Sequence, residues 1–320
     1  MVFEADLYWS VDSRGQRMSF EEENSSTPIR FSLFEEFSSR QKWQDEVDAG
    51  QHKPMRIIGD YSFPKSKEIK CGLKGCRHLH MNGYVIETAD GIETHIGNRC
   101  GKKHFSVTWG ELQAVYTRAK ADRDREEWLA IVLSERDALI RDSQSLLQSV
   151  SETTKQIRSV LERLQKEPEL ISSFMRVVRA GGSIQIEKTI DSKTAEAMNI
   201  PFSKRHVFEN AGRIVGVDAV PSSSTTYPGD LVAAKLRTKV IPVFTGLSIS
   251  SLRNLNQRQR KDRAKEIETA KSILKDSENY LSTARMFLNP ENLQELGKLP
   301  VSRKNQRTER ILRQFTSMAD

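Results

Sequence analysis

The chain is poor in the residues on which most enzyme chemistry is built. It holds only three cysteines and six histidines among 320 residues. Three is an odd number, and two of the three lie close together in a histidine-bearing segment, which suits a metal site in a reducing compartment better than a disulfide framework. No G-x-x-x-x-G-K-[ST], G-x-G-x-x-G or G-x-S-x-G occurs, and Gly181-Gly182 lacks the strand and lysine of a phosphate loop. An ATPase, a dinucleotide enzyme and a nucleophile-elbow hydrolase are therefore unsupported. Glu126 and Glu127 sit among Arg and Asp on a helical stretch and read as a salt-bridged face, not an acid-base pair. Long apolar runs are missing too: LAIVL at 129–133 is far too short to cross a bilayer, and MVFEADLYWSVDSRGQ has neither the basic lead nor the apolar core of a signal peptide. The expected location is the cytoplasm, with no membrane contact. At 37% hydrophobic and 29% charged, the composition predicts a soluble chain with extended polar faces and two or three modest domains.

What the chain does have is an uneven charge. The net +7 resolves into −5 over residues 1–64, +4 over 65–104, +2 over 105–246 and +6 over 247–320. The excess falls in the cysteine-bearing segment and the C-terminal quarter, as expected for parts that face a polyanion; a solvated helix face is the alternative.

Residues 1–64 mix aromatic and acidic residues (LYWSV, RFSLFEEF) with turn signals and predict a small α+β cap. From 108 the pattern turns helical, since Thr108 and Glu111 form an S/T-x-x-E capping box. Leu129, Leu133, Arg136, Ile140, Ser143, Leu147, Val150, Thr154, Ile157, Leu161 and Leu164 then alternate spacings of four and three, the seam of a left-handed coiled coil. Pro168 breaks or kinks this helix and Gly181-Gly182 stop its continuation. A second seam follows in 247–290: Ile267, Ala270, Leu274, Ser277, Leu281, Ala284 and Leu288, ended by Asn289-Pro290.

Between the two, residues 183–246 read as short β-rich runs (SIQIEKTI, RIVGVDAV, LVAAKLRTKVIPVF) divided by PSSSTTYPGD. The fold class predicted is mixed α+β and helix-dominated. A zinc-binding module at 65–107 is followed by a long antiparallel coiled-coil hairpin, 108–182 and 247–290, with a small β-rich domain, 183–246, inserted at its tip. Helices facing each other across a short insertion meet at low loop-closure cost; pairing of like helices in a homodimer is the alternative. Residues 291–320 predict a basic helical tail, docked or frayed.

All three cysteines and four of the histidines fall in IKCGLKGCRHLHMNGYVIETADGIETHIGNRCGKKHF, residues 69–105. Tetrahedral Zn²⁺ takes four ligands, usually as two short-spaced pairs. Cys71 and Cys76 make C-x4-C, Cys100 and His104 make C-x3-H, and the residues between alternate like a hairpin around Asp90-Gly91. In these features the segment resembles the treble-clef zinc fingers, and GNRCGKKHF resembles the glycine turn and first helical turn of their small bacterial and phage members. The resemblance spans about 35 residues and implies a knuckle, a hairpin and a helix N-terminus around one metal, in a protein of the kind found in phages and mobile elements. The ligand set it implies is Cys71, Cys76, Cys100 and His104. The first pair is spaced by four residues where that group has two, so the knuckle is distorted or His78 or His80 replaces a ligand. His95 is expected to pack in the hairpin, and His52 and His206 to be structural or exposed.

Three thiolates and an imidazole fill the coordination sphere and make a poor Lewis acid, so the zinc is expected to be structural. Lys70, Lys74, Arg77, Arg99, Lys102 and Lys103 then form a basic surface around it, of a kind that contacts phosphates. A second basic element, SLRNLNQRQRKDRAKE, carries Arg253, Arg258, Arg260, Lys261, Arg263 and Lys265. It either lines a DNA or RNA backbone or pairs with Asp122, Asp124, Glu126 and Glu127. The function expected is non-enzymatic nucleic-acid binding. A protein-assembly role through the coiled coil or the insertion is the alternative. Treble-clef geometry also resembles the HNH nucleases, for which His78 or His80, Asn98 and His104 would be the candidates.

Overall fold

The structure, a computed structural model, describes residues 27–201, 206–222, 226–300, 306 and 308–311, and the backbone of 10–11 and 17–18. The chain divides into two compact units, Met1–Ala130 with Asn256–Lys261, and Ile131–Leu255 with Asp262–Asp320.

In the first unit β1 (Ser10–Val11) pairs with β2 (Arg17–Met18). A four-stranded sheet of order β3-β4-β7-β8 is built from Ile29–Phe31, Pro54–Ser62, Asn82–Thr88 and Glu93–Ile96. β3 runs parallel to β4, and the other pairs are antiparallel. Gly59 lets β3 approach, because a Cβ there would lie 2.3 Å from the Ile29 carbonyl oxygen. The sheet crosses the boundary expected at 64/65. The segment read as a separate cap supplies β3 and β4 because the edge of β7 needs a partner for its ladder. A short helix α1 (Glu35–Ser38) and a two-stranded ribbon of β5 (Ile69–Lys70) and β6 (Leu79–His80) complete this part.

Alternation along the strands fills both faces of the sheet. Ile58 and Val85 join Phe31, Phe37, Tyr61 and Phe63 on one side. Ile57, Ile86 and Ile96 meet Trp109, Leu112, Tyr116 and the three cysteines on the other. Trp109, Leu112 and Tyr116 belong to α2 (Asn98–Gln165), which begins ten residues before the predicted cap and is broken at Ser106, a residue at φ 45°, ψ −115°. At Asp60 on β4, Tyr116 Oη donates at 2.6 Å and Lys120 Nζ at 2.5 Å, holding α2 to the sheet. Burial alone would raise the Asp60 carboxyl, but these two hydrogen bonds outweigh it and the group is held below its ordinary value.

The second unit contains the rest of α2, then α3 (Pro168–Arg179) with Pro168 at its first position, and Gly181 and Gly182 at positive φ. A ribbon of β9 (Ser183–Thr189) and β10 (His206–Arg213), bulged between Asn210 and Gly212, is followed by a 3-10 turn at Val217–Ala219. The short helix α4 (Ser192–Ala197) lies between the two strands. Next come α5 (Pro228–Lys235), a π turn at Leu236–Val240, α6 (Ile241–Thr245), α7 (Ile249–Arg253), α8 (Gln257–Leu288) and α9 (Pro290–Gln294).

LVAAKLRTKVIPVF, read as β-rich, is therefore helical. Ala233, Leu236, Val240 and Phe244 are its buried residues, and their helical spacing overrides the β propensity of its valines and isoleucine. The π turn precedes Pro242, which has no N–H to donate and would interrupt a regular ladder at that point.

The two long helices run parallel, not antiparallel. Glu135 pairs with Lys271 at 3.6 Å, Thr154 meets Tyr280 at 3.4 Å, and Ile157, Leu161 and Leu164 share a core with Ala284 and Phe287. Both sequences advance in the same direction. The connection makes this possible: Asp230 is 2.9 Å from Arg158, and Arg263 reaches the Val243 carbonyl at 3.0 Å, so 228–245 returns along the pair and α8 starts again from the same end. The expected insertion at the tip is thus a return helix plus a ribbon. The predicted seam positions Val150, Thr154, Ile157, Leu161, Leu164, Ile267, Ala270, Ser277, Leu281 and Ala284 are all buried. Of the predicted tail, α9, a 3-10 turn at Glu295–Lys298 and helical residues at 306 and 308–311 are described; the remainder lies outside the described residues.

Candidate metal centre and adjoining basic cleft

The β5–β6 register pairs Ile69 with His80 and Lys70 with Leu79, and the next rung is the Cys71 N–H donating to the His78 carbonyl at 3.0 Å. Beyond Cys71 the chain turns through Gly75 at φ 78°, and the Cys76 N–H closes onto the Leu73 carbonyl at 2.9 Å. Leu73 is buried, and Val47 brackets the turn: its N–H donates to Gly72 O at 2.8 Å and its carbonyl accepts from Lys74 N–H at 2.9 Å. Cys100 arrives from the other side on the first turn of α2. That turn is clamped by Asn98, whose Oδ1 accepts from Trp109 Nε1 at 3.3 Å and Gln113 Nε2 at 2.9 Å. A side chain at Gly101 would collide with the Trp109 ring at 2.3 Å, so only glycine allows the indole to close over the turn.

The three sulfurs lie within 4.8 Å of one another, with Cys76 and Cys100 Sγ at 3.4 Å, and all three residues are buried. Such a cluster can hold a metal ion. Burial raises the Cys71 thiol and pushes Cys100 up to about 12. At Cys76 burial acts in the same sense, but hydrogen bonds from the His78 backbone and ring and from the other thiols outweigh it and bring the group down to about 7.

His104 is not brought into the cluster. It is exposed, and neither ring nitrogen lies within 4.8 Å of all three sulfurs. His78 is closer in one respect, with Nδ1 3.5 Å from Cys76 Sγ. His80 is committed elsewhere: its Nδ1 is 3.0 Å from Tyr61 Oη, while burial and neighbouring His78 lower its pKa.

His95 packs in the hairpin as expected, stacked on Trp43 at 5.3 Å with Nε2–H donating to Lys70 O at 2.6 Å. Burial lowers it to about 4. Between pH 6.5 and 4 the unfolded chain binds a proton that the folded chain refuses, so stability is full above pH 6.5 and lost as pH falls through this window. The loss expected is about 3 kcal/mol. Denaturant titrations from pH 7 to 4 should show it, and His95→Phe should flatten the slope.

Next to the cluster opens a cleft of about 980 Å³. Cys76, Cys100, His78, His80 and His104 line it together with the cations Lys74, Arg77, Arg99 and Lys103; among the described residues Glu68 is the one acid on its wall. Among the described residues none of these four cations has an ion-pair partner. Other predicted contact residues are distributed differently. Lys102 is exposed but outside the cleft, and Lys70 is paired with Glu46 at 2.7 Å. Arg260 grips Asp122 through Nε at 3.1 Å, and Arg263 holds Glu266 at 2.8 Å as well as the Val243 carbonyl. Both cations serve the fold through charge-assisted hydrogen bonds; Arg260 does so in the pairing with Asp122 that the sequence allowed, whereas Arg263 takes partners outside the acids named for it. Arg253, Arg258 and Lys261 remain exposed.

Two groups at the site were missed from sequence. Val47 lies 24 residues from the nearest cysteine in a stretch with no distinguishing pattern. Asn98 was weighed only as a nuclease candidate; its oxygen is occupied by Trp109 and Gln113, and the pairing of a helix-start Asn with a Trp eleven residues on was the available signal. No family model, curated protein or solved structure matches this chain.

Proposed function

We propose that the chain is a zinc-stabilised, non-enzymatic nucleic-acid-binding protein whose contact surface is the basic cleft beside the cysteine cluster. The observation that carries this reading is the convergence of Lys74, Arg77, Arg99 and Lys103 on one concave surface with a single acid on its wall. Unneutralised cations gathered in a cleft focus a field that attracts a phosphate backbone.

The donor set fits zinc. Three soft, buried sulfurs from a turn and a helix start are the arrangement a structural site uses, and the resemblance to treble-clef fingers is in accord with it. Bound zinc would supply a cross-link between the 71–76 turn and α2. Cys71, Cys76 and Cys100 would hold it, and Asn98 and Trp109 would fix the helix that presents Cys100. Arg99 and Lys103 flank that cysteine on the same helix, so ordering it orders the phosphate-facing cations. The parallel helices, packed along the four-and-three seam, are proposed as a coiled-coil arm. Its partner surface is the second reading, favoured by Phe208, which is 68% exposed on the β10 strand.

Anisotropy titrations of the zinc-loaded chain against labelled duplex and single-stranded DNA and RNA test the proposal. Affinity should fall steeply with salt, by a slope of about −0.9 per phosphate contacted. Arg99→Gln with Lys103→Gln should weaken binding about tenfold or more and flatten that slope by about 2. Binding indifferent to salt or to both changes would place the contact elsewhere; absence of binding on every substrate would turn the reading to Phe208 and protein partners.

A further inference from the structure

We infer that the fourth metal ligand is the Nδ1 of His78, not His104, so that the site closes as three thiolates and one imidazole, all but Cys100 drawn from the 71–78 loop. The inference rests on the metal reading above and deepens it.

Three observations converge. Cys71 and His78 face each other across the β5–β6 ribbon: the register at Ile69–His80 and Lys70–Leu79 continues to them, and the Cys71 N–H donates to the His78 carbonyl at 3.0 Å. Directly opposed residues of an antiparallel pair send their side chains to the same face, with Cβ atoms about 5 Å apart. His78 also lies two residues from Cys76, and its Nδ1 is already 3.5 Å from that sulfur. In a tetrahedral site with Zn–S about 2.3 Å and Zn–N about 2.0 Å, a sulfur and a nitrogen lie about 3.5 Å apart and two sulfurs about 3.8 Å apart. The His78–Cys76 edge meets that distance as it stands. The Cys76–Cys100 edge, 3.4 Å, has only to widen by a few tenths of an ångström.

The ring must still swing, since His78 is not yet within 4.8 Å of all three sulfurs. The residue is exposed and borders the cleft, so the ring has room to turn. His104 sits one helical turn beyond Cys100, and among the described residues its ring makes no hydrogen bond to a sulfur of the kind that joins His78 Nδ1 to Cys76. It lies before the Ser106 break, is exposed, and lines the same cleft. The extra residues between Cys71 and Cys76 then have a purpose. The loop forms a C-x4-C-x-H unit that supplies three donors from one knuckle, and the helix needs to supply only one.

The test is cobalt substitution of the full chain, read by visible absorption and by zinc competition. Wild type should show the intense d–d bands of a tetrahedral ion and charge transfer for three thiolates. His78→Ala should weaken zinc binding by about 100-fold or more and shift the d–d envelope, while His104→Ala leaves both unchanged. His78→Cys guards against loss of folding in the alanine variant: charge transfer should rise in proportion from three thiolates to four. Loss of the spectrum in His104→Ala with His78→Ala unaffected would assign the position to His104. Neither change mattering, or His78→Cys keeping three-thiolate intensity, would remove His78 from the site. Wild type that binds neither metal would overturn the metal reading itself, an outcome distinct from the others.

Discussion

Cys100→Ser is expected to abolish metal binding and with it the cooperative folding of the first unit. The sulfur is one of three within 4.8 Å of one another, and it alone comes from α2. With a metal held there as proposed, its loss would cut the link between the 71–76 turn and the helix that carries Trp109, Leu112 and Tyr116 into the core. A structural zinc contributes about 10–16 kcal/mol to a small module, against a total stability of about 5–15 kcal/mol for a domain, so no reserve absorbs the change. Elemental analysis should fall from one zinc per chain to none. The near-ultraviolet circular dichroism of the buried Trp109 should collapse in parallel, and a chelator should reproduce both effects in the wild type. Unchanged metal content in the serine variant would mean that the cluster is a set of packed thiols and that zinc, if present, sits elsewhere.

Ile157→Asp should be equally damaging in the second unit. Ile157 is fully buried in a core with Leu161, Leu164, Ala284 and Phe287, where α2 meets α8. Removing the side chain alone costs about 2–5 kcal/mol. A carboxylate in its place would be buried among these apolar side chains and adds a desolvation cost, so a total of about 5 kcal/mol or more is expected. Denaturant unfolding followed by helical circular dichroism should lose most of the second unit's transition, while the metal content stays that of the wild type. Ile131→Asp, on the same helix but 57% exposed, should change stability by about 0.5 kcal/mol or less. An unaltered melt for Ile157→Asp would mean that the four-and-three seam does not mark the buried face.

The features legible in the sequence were those written in local periodicity or local chemistry. Most seam positions of α2 and α8 are buried, and Leu133, Arg136, Ile140, Leu147, Leu274 and Leu288 are half-buried, because a 3.6-residue period turns one face of each helix inward. Asp90-Gly91 turns between β7 and β8 because Gly91 takes φ 82° without penalty. The three cysteines meet because a turn and a helix start bring them together, and their clustering in sequence foretold it. Direction was not legible: a buried stripe is the same whether its partner runs with it or against it, and only the return of 228–245 decides. That return was itself hidden, since its valines and isoleucine favour strands when read alone. Glu46, the partner that occupies Lys70, lies 24 residues away with no local pattern to announce it, and the acids of α2 that could pair with the basic element were visible while which cation would take which acid was not.

The parallel course of α2 and α8 has a consequence for how the chain reaches its final state. Thr154 and Tyr280 are 126 positions apart, and Asp122 and Arg260 are 138. Two helices joined by a tight turn zip together from that turn, each contact lowering the entropy cost of the next. Here every contact of the pair closes a loop of more than a hundred residues, and that cost falls due before any contact repays it. Pairing of the two long helices is consequently expected late in folding, after the intervening ribbon and return helix have brought the start of α8 back beside α2.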